Sequence, residues 1–191
     1  MKTNFYRLAF AGSILLTGSS LLAQDVTVSA KYNIGNAHYR RSSDNFQTDN
    51  NRMQSVGLNI AYAPFLAMFQ FVSGAEYEML KEGNLLTVPL GCRIFVGKKL
   101  RPYAEGGGYY SFVLHDNSKD DYQMQDDLGL RAGIGIEYAP TRWVRFQAGY
   151  FLQYGMRTML KEEKLLPLQE HYFEEYKLKA KTFQFGLAFR F

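Results

Sequence analysis

The side chains that could carry out acid–base chemistry in this sequence are few. The three histidines are His38, His115 and His171, and each falls in or near a segment predicted below to be an external loop. A hydrolytic site needs a nucleophile beside a base and a third group that orients the base. Ser118 follows His115 within a loop, out of register with any predicted strand. The expectation is therefore solvated loop histidines and no catalytic residues.

The acidic stretch at residues 116–127 could bind a divalent cation, because calcium takes carboxylate oxygens as ligands. It lacks the Gly and the terminal Glu of an EF-hand loop, and Lys119 lies among the acids. His171, Glu174 and Glu175 lack the second histidine of a zinc-hydrolase motif. We expect no metal and no cofactor, with a calcium site in the acidic loop as the alternative.

The elements that must position any site are predicted to be β-strands, and the C-terminal end shows this most clearly. Large apolar residues occupy every second position there, and polar or small residues lie between them, which is typical of a strand with two different faces. The apolar set is Phe183, Phe185, Leu187, Phe189 and Phe191, and the other set is Gln184, Gly186, Ala188 and Arg190.

The same alternation recurs in eight segments: 25–35, 53–63, 68–79, 85–96, 102–114, 127–138, 143–157 and 177–191. A length of about ten residues suits a tilted transmembrane strand. Three connections are short and carry Pro64, Pro102 and Pro140, whereas those at 36–52, 80–84, 115–126 and 158–176 are mostly longer and polar. We predict an all-β fold: an eight-stranded antiparallel up-and-down transmembrane β-barrel with short periplasmic turns and longer external loops.

The N-terminal end is predicted to be a secretory signal peptide. Lys2 and Arg7 form a basic region, residues 8–16 are apolar but too short to span a bilayer as a helix, and Ala23 precedes a plausible cleavage site. The domains are therefore a signal peptide at 1–23 and a barrel at 24–191. The absence of a cysteine near the cleavage site disfavours a lipid anchor, and a retained membrane anchor is the weaker alternative.

Composition excludes several classes of protein. A formal net charge of +4 without a block of Lys or Arg gives little support to nucleic-acid binding. The single Cys92 excludes a disulfide framework. A mean hydropathy of −0.26 excludes a helical membrane protein, whereas a β-barrel hides its membrane character in alternation.

The charged residues on the polar face of the strands indicate whether the apolar face lies inside or outside the barrel. A soluble lipocalin-like barrel would place its apolar residues inside. Here the face opposite the apolar set carries four cations and three carboxylates that could not face lipid without cost. Inside a narrow barrel they are expected to pair with one another and to plug the lumen. This predicted lumen charge network is Lys31, Glu76, Arg93, Glu105, Arg131, Glu137 and Arg145.

Taken together, the chain resembles the small outer-membrane β-barrel domain family of Gram-negative bacteria, which contains OmpX-like and PorT-like proteins. The resemblance rests on residues 86–90, on residues 101–109, and on a C-terminal barrel-assembly signal formed by Gln184, Gly186, Phe189 and Phe191. It implies insertion into the outer membrane by the barrel-assembly machinery, and it carries no common catalytic residues.

The predicted function is a structural or surface-binding role exerted through the external loops and the segment 170–176, by a monomer without enzymatic activity. The alternative is an accessory role in a secretion or envelope-assembly complex, as PorT-like relatives suggest. A lipid-modifying enzyme is third. It is disfavoured because lipid A deacylases carry a His-x-Ser pair on a strand, and this chain lacks one there.

Three lysines on the lipid-facing parity of the last strand could contact lipopolysaccharide. Lys177, Lys179 and Lys181 precede the apolar residues of that strand, where cations can attract anionic head groups. An ordinary charged extension of the strand explains the same pattern equally well.

Overall fold

The computed structural model describes residues 25–41, 51–64, 68–117, 122–165 and 171–191. The predicted signal peptide at 1–23 and its cleavage site lie outside these ranges. In the part of the chain that is described, no helix is long and apolar enough to cross a membrane.

Eight long strands form a closed antiparallel barrel, as predicted. The order around the wall is β1-β2-β3-β4-β5-β7-β8-β10, and β10 pairs with β1 to close it. Closure leaves no unpaired edge among the long strands, which a bilayer requires because it offers no water to unpaired backbone groups. The strands are β1 Asp25–Arg41, β2 Asn51–Ala63, β3 Phe69–Met79, β4 Gly83–Phe95, β5 Leu100–Asp116, β6 Tyr122–Met124, β7 Asp127–Tyr138, β8 Val144–Gly155, β9 Leu160–Leu165 and β10 His171–Arg190.

Two short strands extend the wall at the outer end, where β7 and β8 stop. β9 pairs with the first six residues of β10, from His171 to Tyr176, and β6 pairs with β9. The predictions of loops at 36–52, 115–126 and 158–176 are therefore wrong in part, because β1, β5 and β10 continue beyond the segments marked by apolar alternation and two further strands lie within these stretches. The reason is that the outward face becomes polar there, so the alternation that identifies a membrane strand ends before the strand does.

Along each long strand the two faces have the predicted polarity. Outward side chains such as Leu58, Leu90 and Ile134 are 63–68% exposed, which in a bilayer means contact with lipid. Inward positions are buried and mostly polar or small across the same rows. The lipocalin-like alternative is thus wrong, because apolar residues cover the outside of the barrel.

The inner end of the barrel is built from tight turns. Gly97 has φ of 104°, a left-handed conformation that glycine adopts without steric cost, and it reverses the chain between β4 and β5. The neighbouring turn between β7 and β8 is joined to it by a hydrogen bond from the Ala139 amide to the Lys99 carbonyl of 2.8 Å. These two turns therefore form one continuous rim.

Candidate functional site: the lumen and its two rims

The seven residues of the predicted lumen charge network all lie on inward positions. Each is at most 9% exposed. A buried charge is stable only when it is paired and hydrogen-bonded, so the partners of each group determine what the lumen can do.

Arg131 links three strands across the interior. Its Nη1 donates to Glu76 Oε2 on β3 at 2.8 Å, and its Nη2 donates to Gln184 Oε1 on β10 at 3.0 Å. Asn33 Nδ2 on β1 donates to the same Glu76 oxygen at 3.1 Å and to Ser55 Oγ at 2.7 Å. Two strands separate β3 from β7 on the wall, so the contact between Arg131 and Glu76 crosses the lumen.

Arg93 and Glu105 form a second pair, between the neighbouring strands β4 and β5. Arg93 Nε donates to Glu105 Oε2 at 2.7 Å. The Arg93 guanidinium also lies 4.7 Å from the centre of the Tyr103 ring, a distance suited to a cation–π interaction.

Glu137 is shared by two arginines near the inner end. Arg101 and Arg145 both form ion pairs with Glu137 Oε1, and Gln147 Nε2 donates to its Oε2 at 2.9 Å. Arg101 is further held over the Phe95 ring at 4.2 Å. One carboxylate therefore supports two buried cations.

Lys31 and Glu78 have neutral partners. With the Asn59 amide turned so that its oxygen faces Lys31, Nζ donates to it at 2.7 Å. Glu78 Oε1 accepts from Gln153 Nε2 at 3.2 Å, between strands on opposite sides of the wall. This contact adds a second bridge across the lumen.

The sequence-based network omitted four buried charges: Asp25, Glu78, Arg101 and Asp127, all at most 8% exposed. Each lies on the inward parity of its strand, so parity alone could have found them. Asp127 accepts from Tyr109 Oη at 2.8 Å, and Asp25 pairs with Arg190 at the inner end.

Aromatic rings inside the barrel lie over glycines of the wall. A Cβ added at Gly133 would overlap the Phe151 ring, and one added at Gly135 would overlap the Tyr103 ring. The glycines on β7 therefore provide the space in which these rings, and the arginines stacked on them, are held.

Above the charged layers the lumen becomes apolar. Ten buried side chains from several strands form one cluster there, which we call the outer apolar cluster: Ala37, Tyr39, Met53, Leu80, Leu85, Met124, Met159, Tyr176, Leu178 and Ala180. At its edge Glu82 accepts from Tyr39 Oη at 3.1 Å and from Asn51 Nδ2 at 2.8 Å. This cluster was not predicted, because its members lie either in stretches predicted to be loops or, as Met53, Leu85 and Leu178 do, on the parity assigned to polar residues.

The three candidate lipopolysaccharide-contacting lysines lie on the outward face of β10. Lys181 is exposed, while Lys177 and Lys179 are half-buried. Lys181 is the outward position directly above Phe183, which is 57% exposed. The lysines therefore stand at the upper edge of the apolar surface.

The four positions of the predicted assembly signal are divided between the two faces of β10. Gln184 is buried and Gly186 half-buried on the inward parity, whereas Phe189 and Phe191 point outward, 45% and 72% exposed. The Phe191 amide donates to the Val26 carbonyl at 2.8 Å. The two phenylalanines thus lie beside the seam that closes the barrel.

The histidines are not in loops, contrary to expectation. His38, His115 and His171 lie in β1, β5 and β10. His38 is buried beside Lys179 in the strand pairing, so the expectation of a solvated side chain is wrong there; His115 is exposed. Because β1 and β5 continue past their apolar segments, His38 and His115 lie on the barrel wall.

The described carboxylates of the acidic stretch are engaged by the protein's own donors. Asp116 Oδ2 accepts from the Met124 amide at 3.0 Å, and Asp126 Oδ1 accepts from the Val113 amide at 2.9 Å. No group of three or more His, Cys, Asp and Glu side chains that could hold a metal occurs among the described residues. Residues 118–121 of this stretch lie outside them.

A closed barrel with an apolar exterior and a charged interior, in which three of the four outer connections are longer than the inner turns, is the architecture of an integral outer-membrane protein. The family model for the outer membrane protein beta-barrel domain matches residues 8–191, and the chain belongs to this family. A search of curated proteins found no match.

Solved structures agree on the fold. Neisserial surface protein A, NspA, has a TM-score of 0.59 at 16% identity, covering 87% of this chain and 97% of that one. The N-terminal β-barrel domain of OprF from Pseudomonas aeruginosa has 0.53 at 16%, covering 85% and 97%. AlkL, determined by solid-state NMR in lipid bilayers, has 0.52 at 12%, covering 91% and 93%. At these identities the likeness concerns the fold alone.

Proposed function

We propose that this outer-membrane protein is a closed, non-catalytic barrel that holds a binding surface above the membrane and does not conduct ions through its lumen. The observation that carries the proposal is the pair of bridges across the interior. Arg131 joins Glu76 to Gln184, and Gln153 joins Glu78 on the opposite wall. Eight strands leave an interior just wide enough for side chains.

The outer apolar cluster supports the same proposal. Leu85, Tyr39, Met53 and Leu178 are at most 1% exposed, so this layer holds little water. A hydrated ion would have to pass both an apolar layer and a paired charged layer. The test is single-channel recording in planar bilayers, with a general porin as positive control. We expect no steady conductance, and a large, steady conductance from the purified protein would contradict the proposal.

The binding surface is proposed to be the extension formed by β6, β9 and the start of β10. These segments are hydrogen-bonded to one another, so residues 160–165 and 171–176 form a small sheet above the barrel rather than a loose loop. A paired sheet loses less conformational entropy on binding than a loop does, which suits it to contact a partner at the cell surface.

Site-specific photo-crosslinking in intact cells tests this placement. A crosslinker at position 173 is compared with one at Thr141 in the inner turn between β7 and β8. Adducts from position 173 alone support a surface role. Adducts from Thr141 alone would contradict it and favour a periplasmic assembly complex.

Contact with lipopolysaccharide is proposed for Lys177, Lys179 and Lys181, because they are cations on the outward face directly above lipid-exposed phenylalanine. Replacing all three with Gln is expected to lower the amount of lipopolysaccharide that co-purifies with the folded protein. An unchanged amount of co-purifying lipopolysaccharide would contradict this proposal and favour an ordinary charged extension of the strand.

We also propose that the protein does not modify lipid A. His115 is exposed on β5, and His38 lies beside the cationic Lys179, so neither described side chain is placed against a paired nucleophile. Mass spectrometry of lipid A from cells with and without the gene is expected to give identical spectra. A mass change that depends on the gene would contradict this proposal.

A further inference from the structure

The inner rim carries a concave basic pocket that the functions proposed above do not use. It lies between the β4–β5 and β7–β8 turns, which are joined by the Ala139–Lys99 hydrogen bond, and its volume is about 290 Å³. Six cations line it: Lys98, Lys99, Arg101, Arg142, Arg145 and Arg190. A pocket of this size between two tight turns suits a small anionic group.

The positive charge of this pocket is only partly neutralised by the protein. Glu137 pairs with both Arg101 and Arg145, and Asp25 pairs with Arg190. Among the described residues, two carboxylates therefore pair with three of these six cations. Lys98, Lys99 and Arg142 are exposed, and none of the described ion pairs engages them.

Two arginines that line the pocket each have a buried donor without a partner. Arg101 is 8% exposed and Arg145 is 3% exposed, yet the Nε of each has no hydrogen-bond acceptor among the described residues. A buried N–H without an acceptor is unfavourable. An anion in the pocket would supply acceptors as well as negative charge.

A tryptophan beside the pocket indicates the level of the membrane interface. Trp143, in the same turn, is 52% exposed, and the Arg142 guanidinium lies 4.5 Å from the centre of its ring. Tryptophan is enriched where membrane meets water. The lipid phosphates of the inner leaflet are therefore within reach of Arg142 and its neighbours.

We propose that this inner-rim pocket binds the phosphate of an anionic phospholipid in the inner leaflet of the outer membrane. Arginine suits such a ligand because its planar fork can donate two hydrogen bonds to one phosphate. Exposed lysines at the mouth add attraction that depends on salt. The lipid would anchor the inner rim to its leaflet, independently of any partner above the barrel.

The test is native mass spectrometry of protein refolded into phosphatidylcholine vesicles with and without a fifth of phosphatidylglycerol, then extracted in mild detergent. The variant is Lys98→Gln, Lys99→Gln and Arg142→Gln, which leaves the buried ion pairs in place. The matched control is Arg52→Gln, Lys81→Gln and Arg157→Gln, which removes the same charge from exposed positions at the outer end of the barrel. Heat-dependent gel mobility confirms that all proteins are folded.

We expect the wild type and the control to retain phosphatidylglycerol, and the inner-rim variant to retain at least tenfold less. Equal loss in both variants would overturn the proposal, since it would show a general effect of charge. Equal retention of the two lipids by the wild type would also overturn it. If the wild type binds inorganic phosphate in detergent but retains no phosphatidylglycerol from the vesicles, the pocket binds free phosphate, and the lipid assignment is overturned.

Discussion

Removing the charge of Glu105 should destabilise the barrel, because its partner Arg93 would be left buried and unpaired. The two side chains are only 2% and 7% exposed. Breaking a buried ion pair by removing one partner costs about 3–5 kcal/mol. Arg93 keeps its contact with the Tyr103 ring at 4.7 Å, so we expect Glu105→Gln to lower the free energy of unfolding by about 3 kcal/mol, at the low end of that range.

A double-mutant cycle separates the pair from its surroundings. Arg93→Met should also cost about 3 kcal/mol, because Glu105 is then the unpaired charge. The double variant should cost no more than either single one, which gives a coupling energy of about 3 kcal/mol. Lys81→Gln, at an exposed position, is the control and should change stability by less than about 0.5 kcal/mol.

The assay is reversible urea unfolding in phospholipid vesicles, followed by the fluorescence of the single tryptophan, Trp143. This side chain lies in the inner turn between β7 and β8 and is 52% exposed, so its emission is expected to change when the barrel leaves the bilayer. Additive costs in the double variant would refute the reasoning, since the two residues would then act independently. A single-variant cost below about 0.5 kcal/mol would refute it as well.

Three further predictions concern the wall and the seam. Gly133→Ala should lower the free energy of unfolding by about 1–3 kcal/mol in the same urea assay, because its Cβ would overlap Phe151. Gly106→Ala is the control and should be neutral, because a Cβ there would have nothing within 4 Å. Equal effects of the two substitutions would contradict this prediction. Cys92 lies on the outward parity of β4 and should react with a water-soluble maleimide only after unfolding; labelling of the inserted protein, measured by mass, would contradict that orientation. Phe191→Ala should reduce the heat-modifiable form in outer membranes on gels, and undiminished assembly would exclude it from the insertion signal.

The sequence predicted the barrel well because membrane strands obey a strict rule. Where lipid surrounds the wall, each outward position must be apolar, and the interior of a narrow barrel must be polar or small. Once Phe183, Phe185 and Leu187 are taken to face lipid, the residues between them on the same strand must point into the lumen. The same rule placed Arg131 and Glu76 inside, although parity cannot say which charges meet.

The outer half of the strands could not be predicted in this way. Tyr39 and Leu178 are buried inside the barrel, at positions where parity assigned polar groups. Above the bilayer, water replaces lipid outside the wall, so an apolar residue is stabilised by pointing inward, as in a soluble protein. Above the bilayer the apolar residues therefore point inward and the polar residues outward. This reversal is why the outer apolar cluster and the extension formed by β6 and β9 could not be predicted from the alternation.

On adjacent strands, the outward residues change from apolar to polar at the same register position. We infer that this row of residues marks the outer surface of the membrane. In the pairing of β1 with β10, Ile34 lies opposite Phe183, and Asn36 lies opposite Lys181. The outward face thus changes from apolar to polar within one step of the alternation, at the same register on both strands. Ala180 and Leu178 are buried inside just above this row, so the interior changes in the opposite sense. Because both faces reverse together, the strands above this row enclose an apolar interior of their own, the outer apolar cluster. That upper part is stabilised by its apolar interior, as a soluble protein is, and the proposed binding surface would rest on it.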